Sequence, residues 1–458
     1  MASTRSAKSY GAAEQVAGAA PESHSKRLTP LLLVGTSCLI LALAGFYGCY
    51  ADTAAPPVTT SPQPTPAAND VLADPDEPVP TPLPTPKAPP LPKTPEGPVE
   101  PNPAAVFNGK EFRGVSMQLT SGGEFYNELV EQVAATGSNC IQFVVQAWQE
   151  NAKSTQIAFG GDKGLSDVRL KELIALARKN KLRVIVMPIV LLSNPGPKEW
   201  RGKIDFGRDE QQWDAWWGTY SKYILHYADL AQGSGAEVFT VGSELLKTEF
   251  KNERWLKLIE QVRGRFKGYL TYSANWDHYH VPQFWDKLDF VGMTTYHDLI
   301  GDDEATDAVM MKSWLDIYRK VLHWQYSVPK PILFTEVSWP NQKTAAKYPW
   351  DYYRTEETDP DLQKRCFECF FKTWFGTPTV AGYIVWEWPN YPGASDDPAK
   401  DFSYSPRGKP ALEVIKHYFA KPDKKDSAGT RPATSPATGP ATTPTNRSIA
   451  TTQSSNAG

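Results

Sequence analysis

Between residues 106 and 422 the chain carries eight short apolar segments of strand length, most of them followed by a helical pattern, and few folds satisfy that order. The segments cover 112–119, 139–147, 182–191, 236–243, 269–275, 289–296, 331–337 and 380–388. Runs such as VIVMPIVLL and CIQFVV are apolar throughout instead of alternating, as strands covered on both faces require. Between them, SDVRLKELIALARKN opens on an N-cap serine, Ser166, with leucines three and four apart, and a long Trp-rich helical stretch runs from Asp209 to about Gln232. Strand then helix, repeated eight times, predicts an α/β fold of the closed parallel (β/α)8 TIM-barrel class, in a single globular domain over 106–422. The fifth repeat is the weakest, with only a short helical stretch near 281–287.

The flanks have a different composition. Residues 31–49 (LLLVGTSCLILALAGFYGC) form an uncharged apolar run that, at about 1.5 Å per helical residue, is long enough to cross a bilayer. Lys26 and Arg27 precede it, Arg5 and Lys8 lie further back and only Asp52 follows closely. The positive-inside rule then predicts a cytoplasmic tail over 1–28, a transmembrane signal anchor over 29–50 and everything later outside the cell membrane, periplasmic or extracellular. A cleaved signal peptide and a lipoprotein signal ending at Cys49 are the alternatives, giving a secreted or lipid-anchored domain. Proline recurs through 51–105, which predicts a disordered, extended linker, and the Pro/Thr/Ala/Ser-rich stretch 423–458 predicts a disordered tail.

Charge excludes one class of partner. A formal net charge of −3 offers no basic field for nucleic acid. The chain has 15 Trp and 20 Tyr, a surplus suited to stacking on the C–H faces of sugars, although most such residues in any protein are core. Of the five cysteines, Cys38 and Cys49 fall in the apolar run, Cys140 stands alone, and Cys366 and Cys369 lie in RCFECFFKTWF, which reads as a buried amphipathic helix and not a redox turn.

In parallel barrels the active site lies at the carboxyl ends of the strands. In strand order those ends carry Ser116 and Gln118; Gln146 and Trp148; Ser193 and Asn194; Ser243 and Glu244; Asn275 and Trp276; Tyr296, His297 and Asp298; Glu336 with Trp339; and Trp386, Glu387 and Trp388. Two carboxylates follow buried β-type runs directly: FTVGSE places Glu244 at the end of the fourth strand, and ILFTE places Glu336 at the end of the seventh. These strands face each other across the barrel mouth. Carboxyl groups about 5–5.5 Å apart serve glycoside hydrolysis with retention, one protonated to assist the leaving oxygen and one ionised to attack the anomeric carbon.

The pattern Gly242-Ser243-Glu244 together with Thr335-Glu336-Val337-Ser338-Trp339-Pro340 resembles the clan of retaining (β/α)8 glycosidases, and most of all glycoside hydrolase family 113, whose characterised members are largely endo-β-1,4-mannanases. The resemblance implies Glu244 as general acid/base and Glu336 as nucleophile. It also implies Tyr296 as the tyrosine that orients the nucleophile, and Trp386 as the tryptophan beneath the sugar in the cleaved subsite. Ser243 stands where the wider clan commonly has the asparagine that holds the sugar 2-hydroxyl.

Asn275, Trp276, Trp148 and Trp339 complete the substrate-binding candidates. His297 and Asp298 lack a third ligand at usable spacing, so neither a metal nor a cofactor is expected. Glu387, between two tryptophans, is expected to point outward if Trp386 points in. The expected partner is a polysaccharide or oligosaccharide; the sequence fixes no oligomeric state. A β-glucanase or transglycosylase of the same clan and a carbohydrate-binding barrel without activity are the rival readings.

Overall fold

Every one of the eight apolar runs forms a barrel strand. In the computed structural model, which describes residues 87–120, 123–160, 165–389 and 397–422, these are β1 Phe112–Leu119, β2 Cys140–Gln149, β4 Arg183–Leu192, β5 Val238–Ser243, β6 Tyr269–Ala274, β7 Val291–Thr294, β8 Ile332–Val337 and β9 Val380–Val385. All pair in parallel with their neighbours, and β1 pairs with both β2 and β9, so the sheet closes. A further strand, β3 (Ile157–Phe159), runs antiparallel to the end of β2. The sequence pattern misses it because three residues are too few to show a period.

Seven helices cover the barrel among the described residues: α1 Tyr126–Ala134, α2 Asp167–Lys179, α3 Glu210–Ser234, α4 Asn252–Arg265, α5 Asp307–Gln325, α6 Pro360–Trp374 and α7 Pro410–Phe419. The weak fifth repeat has a 3-10 turn, Trp285–Lys287, where its helix would be. Pro282 opposes helix at that point. Phe284 and Trp285 instead bury themselves against Tyr272, with ring centroids 5.4 and 6.1 Å away, and so seal the gap that a helix would cover.

Most of the aromatic surplus is packing. α3 is capped by Asp209, whose carboxylate accepts from Gln212 N–H, and ends on Gly235 at φ +75°. Its inner face of Trp213, Trp216, Trp217, Tyr220, Tyr223 and Tyr227 is buried against the barrel. Among the described residues six Trp side chains and at least as many Tyr are fully buried, so the composition speaks first of packing and only secondarily of sugar. Cys366 and Cys369 lie on the buried face of α6 with Phe367 and Phe370, both as free thiols, and burial raises both pKa values.

The linker expected over 51–105 does not stay apart from the barrel along its described part. Asn102 donates to Gln325 O at 3.1 Å, Tyr326 O–H donates to Glu100 O at 3.1 Å, and His280 Nε2 bonds Pro89 O at 2.8 Å. Ala105 is fully buried and Val99 packs on the core, so the folded unit begins before residue 106. Proline-rich composition excludes an independent core, but it does not exclude docking on another one. The anchor expected over 29–50 and the tail over 423–458 lie outside the described residues. Among the described residues no helix is long and apolar enough to cross a membrane.

Candidate active site

The fourth barrel strand, β5, ends at Ser243, and Glu244 follows at φ +51°, a left-handed conformation that few non-glycine residues adopt. Its backbone N–H donates to Ser273 O of β6 at 2.9 Å. Gly242 is required one step earlier, because a Cβ there would lie 2.6 Å from the Tyr220 hydroxyl and 2.8 Å from Trp255. Register shifts interrupt the ladders at this level in two places, between Thr240 and Ser243 on β5 and between Met293 and Thr294 on β7. Such irregularities re-aim the side chains at a strand end.

Both carboxylates are buried at the mouth, each held by different partners. Glu336 Oε2 accepts from Tyr296 O–H at 2.8 Å, and Glu336 O accepts from Thr295 Oγ1 at 3.1 Å. Glu244 Oε2 accepts from Arg201 at 2.7 Å and Oε1 from Thr294 Oγ1 at 3.4 Å. Thr294 also stands opposite Glu336 in the β7–β8 register. Burial, and then the negative charge of Glu336, push the Tyr296 phenol well above its usual range, with Glu244 adding to the effect. It therefore stays neutral and donates.

A polar layer supports the pair from inside the barrel. Gln142 Nε2 donates to Ser116 Oγ at 2.5 Å and to Thr335 O at 3.1 Å, and Ser273 and Thr335 share a hydroxyl contact of 2.7 Å. Around the mouth, Tyr296 and Trp386 belong to an apolar cluster with Tyr404, against which Trp148, Trp276, Trp350 and Tyr352 pack half-buried. Trp276 and Trp350 stack with centroids 6.0 Å apart and planes within 15°. Flat rings around two carboxylates suit a sugar chain.

Residues 121–409, more than half of the chain, match Glycoside Hydrolase Family 113. The chain belongs to that family. It is a glycoside hydrolase, as its strand-end residues lead one to expect. Solved structures agree: a GH113 β-mannanase from Alicyclobacillus acidocaldarius, in complex with ManMIm, is 27% identical over 69% of this chain and 98% of its own, with a TM-score of 0.61. Another GH113 β-1,4-mannanase is 26% identical over 69% of this chain and all of its own, with a TM-score of 0.62. No curated protein matches the chain.

The structure of this family 113 hydrolase gathers most of the sequence-derived candidates. Glu244, Glu336, Ser243, Tyr296, Trp386, Trp276 and Trp148 all lie at the mouth. Asn275 is there too, its amide turned to Asp277 Oδ1 at 2.6 Å. Trp339 is not among them: its indole is fully buried behind the barrel wall, 5.1 Å from Phe367 and 6.0 Å from Trp314. It lies three residues past Glu336, where the chain has already turned toward the helices. His297 is buried between Trp276 and Trp314, and burial lowers its pKa to about 3, so it is a neutral packing residue.

Glu387 corrects a second expectation. β9 ends at Val385, so strict alternation no longer governs 386 and 387, and the Trp386–Glu387 peptide is cis. Glu387 Oε2 accepts from Gln118 Nε2 at 2.9 Å, and Gln118 Oε1 accepts from Gln146 Nε2 at 2.8 Å, which ties three strand ends together on the mouth side. Arg201 has no counterpart among the sequence-derived candidates. It comes from a 3-10 turn, Arg201–Lys203, nine residues past β4, and nothing in EWRGK marks it as facing the fourth strand. Trp350, Tyr352 and Tyr404 were missed in the same way, since they come from long loops without periodicity.

Proposed function

We propose that this hydrolase cleaves β-1,4-linked mannan by double displacement, with Glu336 as nucleophile and Glu244 as general acid/base. The observation that carries the reading is the unequal holding of two buried glutamates: one receives a neutral phenol, the other a guanidinium. In the first step Glu336 attacks the anomeric carbon, Glu244 gives its proton to the glycosidic oxygen, and the leaving sugar departs. Keeping that proton on Glu244 works against the Arg201 charge, and the negative charge of Glu336 across the site favours it. In the second step Glu244 takes a proton from water, the hydroxide attacks the same carbon, and the bond to Glu336 breaks. Arg201 then stands against an ionised, buried carboxylate and offsets the loss of its hydration.

Ser243 supports a particular glycone. Its hydroxyl is buried beside Glu244 with no hydrogen-bond partner among the described residues, and it is shorter than the asparagine commonly found there. A mannose-type sugar with its axial 2-hydroxyl fits that position, in keeping with the mannanases that the chain is similar to. The test is reducing-sugar release by the full chain from β-mannans, β-glucans and xylans, beside Glu244→Ala and Glu336→Ala. Cleavage of mannan, lost in both variants and partly restored by azide in at least one, is the expected result. Turnover only on glucan would move the assignment to a β-glucanase. Equal binding by all three proteins without turnover would leave a carbohydrate-binding barrel.

A further inference from the structure

Just after Glu244 the chain makes a tight turn whose anchoring is unusually polar for a buried place. Leu245 N–H donates to Tyr272 Oη at 2.9 Å, and Tyr272 O–H in turn donates to Glu249 Oε1 at 2.8 Å. Glu249 Oε2 accepts from His278 Nδ1 at 2.9 Å. Within the turn, Thr248 donates to Leu245 O from both its N–H and its hydroxyl, at 2.8 Å each, and Trp255 Nε1 donates to Thr248 O at 3.0 Å. The Glu249 side chain is wholly buried, whereas His278 sits 16% exposed on the loop after β6.

A carboxylate in such a place is a burden on stability unless it is paired, and an apolar residue would fill the space with less penalty. What it gains here is a fixed position for Tyr272, whose ring is wedged against Trp255 and Phe284 with centroids 5.1 and 5.4 Å away. Tyr272 fixes Leu245, and Leu245 fixes the direction in which Glu244 leaves a left-handed backbone. The remaining groups that act electrically on the pair and on Tyr272 are Asp277, Lys247 and Tyr220, and His280 lies beside His278. Glu336 takes its hydrogen bonds from Thr295 and Tyr296, beyond the end of β7, the strand next to β6.

We propose that Glu249, Tyr272 and His278 are positioning residues for the acid/base glutamate: a buried relay that sets the aim of Glu244 without touching substrate. The inference rests on the reading of Glu244 as acid/base given above. It has a signature that a general structural role does not. Proton donation matters for a poor leaving group and hardly at all for a good one, so a misaimed Glu244 slows the first irreversible step selectively.

The experiment compares kcat/KM on mannotetraose and on 2,4-dinitrophenyl β-mannobioside for the full chain and for Glu249→Gln, Tyr272→Phe and His278→Gln. Glu244→Ala and Tyr296→Phe serve as references. The relay variants are expected to lose about 10- to 100-fold on mannotetraose, and less than about threefold on the activated glycoside. Glu244→Ala should show the same split more strongly, and Tyr296→Phe should lose on both. An equal loss on both substrates, or none on either, in Tyr272→Phe, which keeps the packed ring, overturns the proposal even if Glu249→Gln fails to fold. A wild-type chain inactive on both substrates overturns the functional reading, and the relay with it.

Discussion

Single side chains at this mouth have separable effects. Tyr296→Phe removes one hydrogen bond to the carboxylate of Glu336 while keeping the ring against Tyr404. A bond to a charged group is worth about 1.5–3 kcal/mol, so kcat is expected to fall about 10- to 100-fold, with a lower unfolding midpoint because a buried carboxylate oxygen loses its donor. Arg201→Met leaves a buried carboxylate without its cation. A loss of stability of up to about 3–5 kcal/mol is expected in denaturant titration, alongside lost turnover. His278 has a pH signature. Burial works to lower its pKa but is outweighed by the hydrogen bond and charge of Glu249, which hold it above 6.5, and burial likewise raises Glu249. Both shifts have the pair keep its proton to higher pH. The His278 part of the stabilisation is therefore full below about pH 6.5 and is lost as pH rises through its raised folded-state value. The stability gap between wild type and His278→Gln should be widest near pH 6 and shrink toward pH 9; a gap that widens with pH would contradict the pairing.

At the scale of elements, the site depends on strand ends that break their own ladders. The register shifts on β5 and β7 lie at the residues that carry Glu244 and face Glu336. Gly242→Ala would press a methyl group into Tyr220 and Trp255 just below that break. It is expected to cost about 1–3 kcal/mol in thermal or denaturant unfolding, and to reduce activity beyond what the lost stability explains. The docked segment before β1 is a second element with a measurable part in the fold. A chain beginning at residue 106 lacks the Asn102–Gln325 and Glu100–Tyr326 bonds and the packing of Val99, so it should melt below one beginning at residue 87. Equal melting temperatures would show that the segment only rests on the surface.

For the molecule as a whole, a barrel closed by β1 and β9 places eight strand ends around one mouth, and the site is the sum of those ends. The apolar run over 31–49 carries a separate prediction about where this mouth works. The full chain expressed in a bacterial host is expected to sediment with membranes and to resist high-salt washing, whereas a chain starting at residue 87 should stay in the supernatant. Recovery of the full chain in the soluble fraction at its intact mass would exclude both anchor and lipid.

The sequence alone determined the barrel, its eight strands and the two glutamates, because each depends on local order: apolar runs, helical spacing, and a carboxylate one step beyond a buried strand. It also marked the fifth repeat as weak, since Pro282 and a short pattern are local facts. Contacts between distant loops were decided only in the folded chain. Arg201 meets Glu244 across 43 positions, Glu387 meets Gln118 across 269, and Glu249 meets His278 across 29. Trp339 and Trp386 look alike as strand-end tryptophans, yet one is sealed behind the wall and the other lines the mouth. Which way a side chain faces beyond the last ladder bond is set by what the other strands bring beside it, and periodicity carries no information about that.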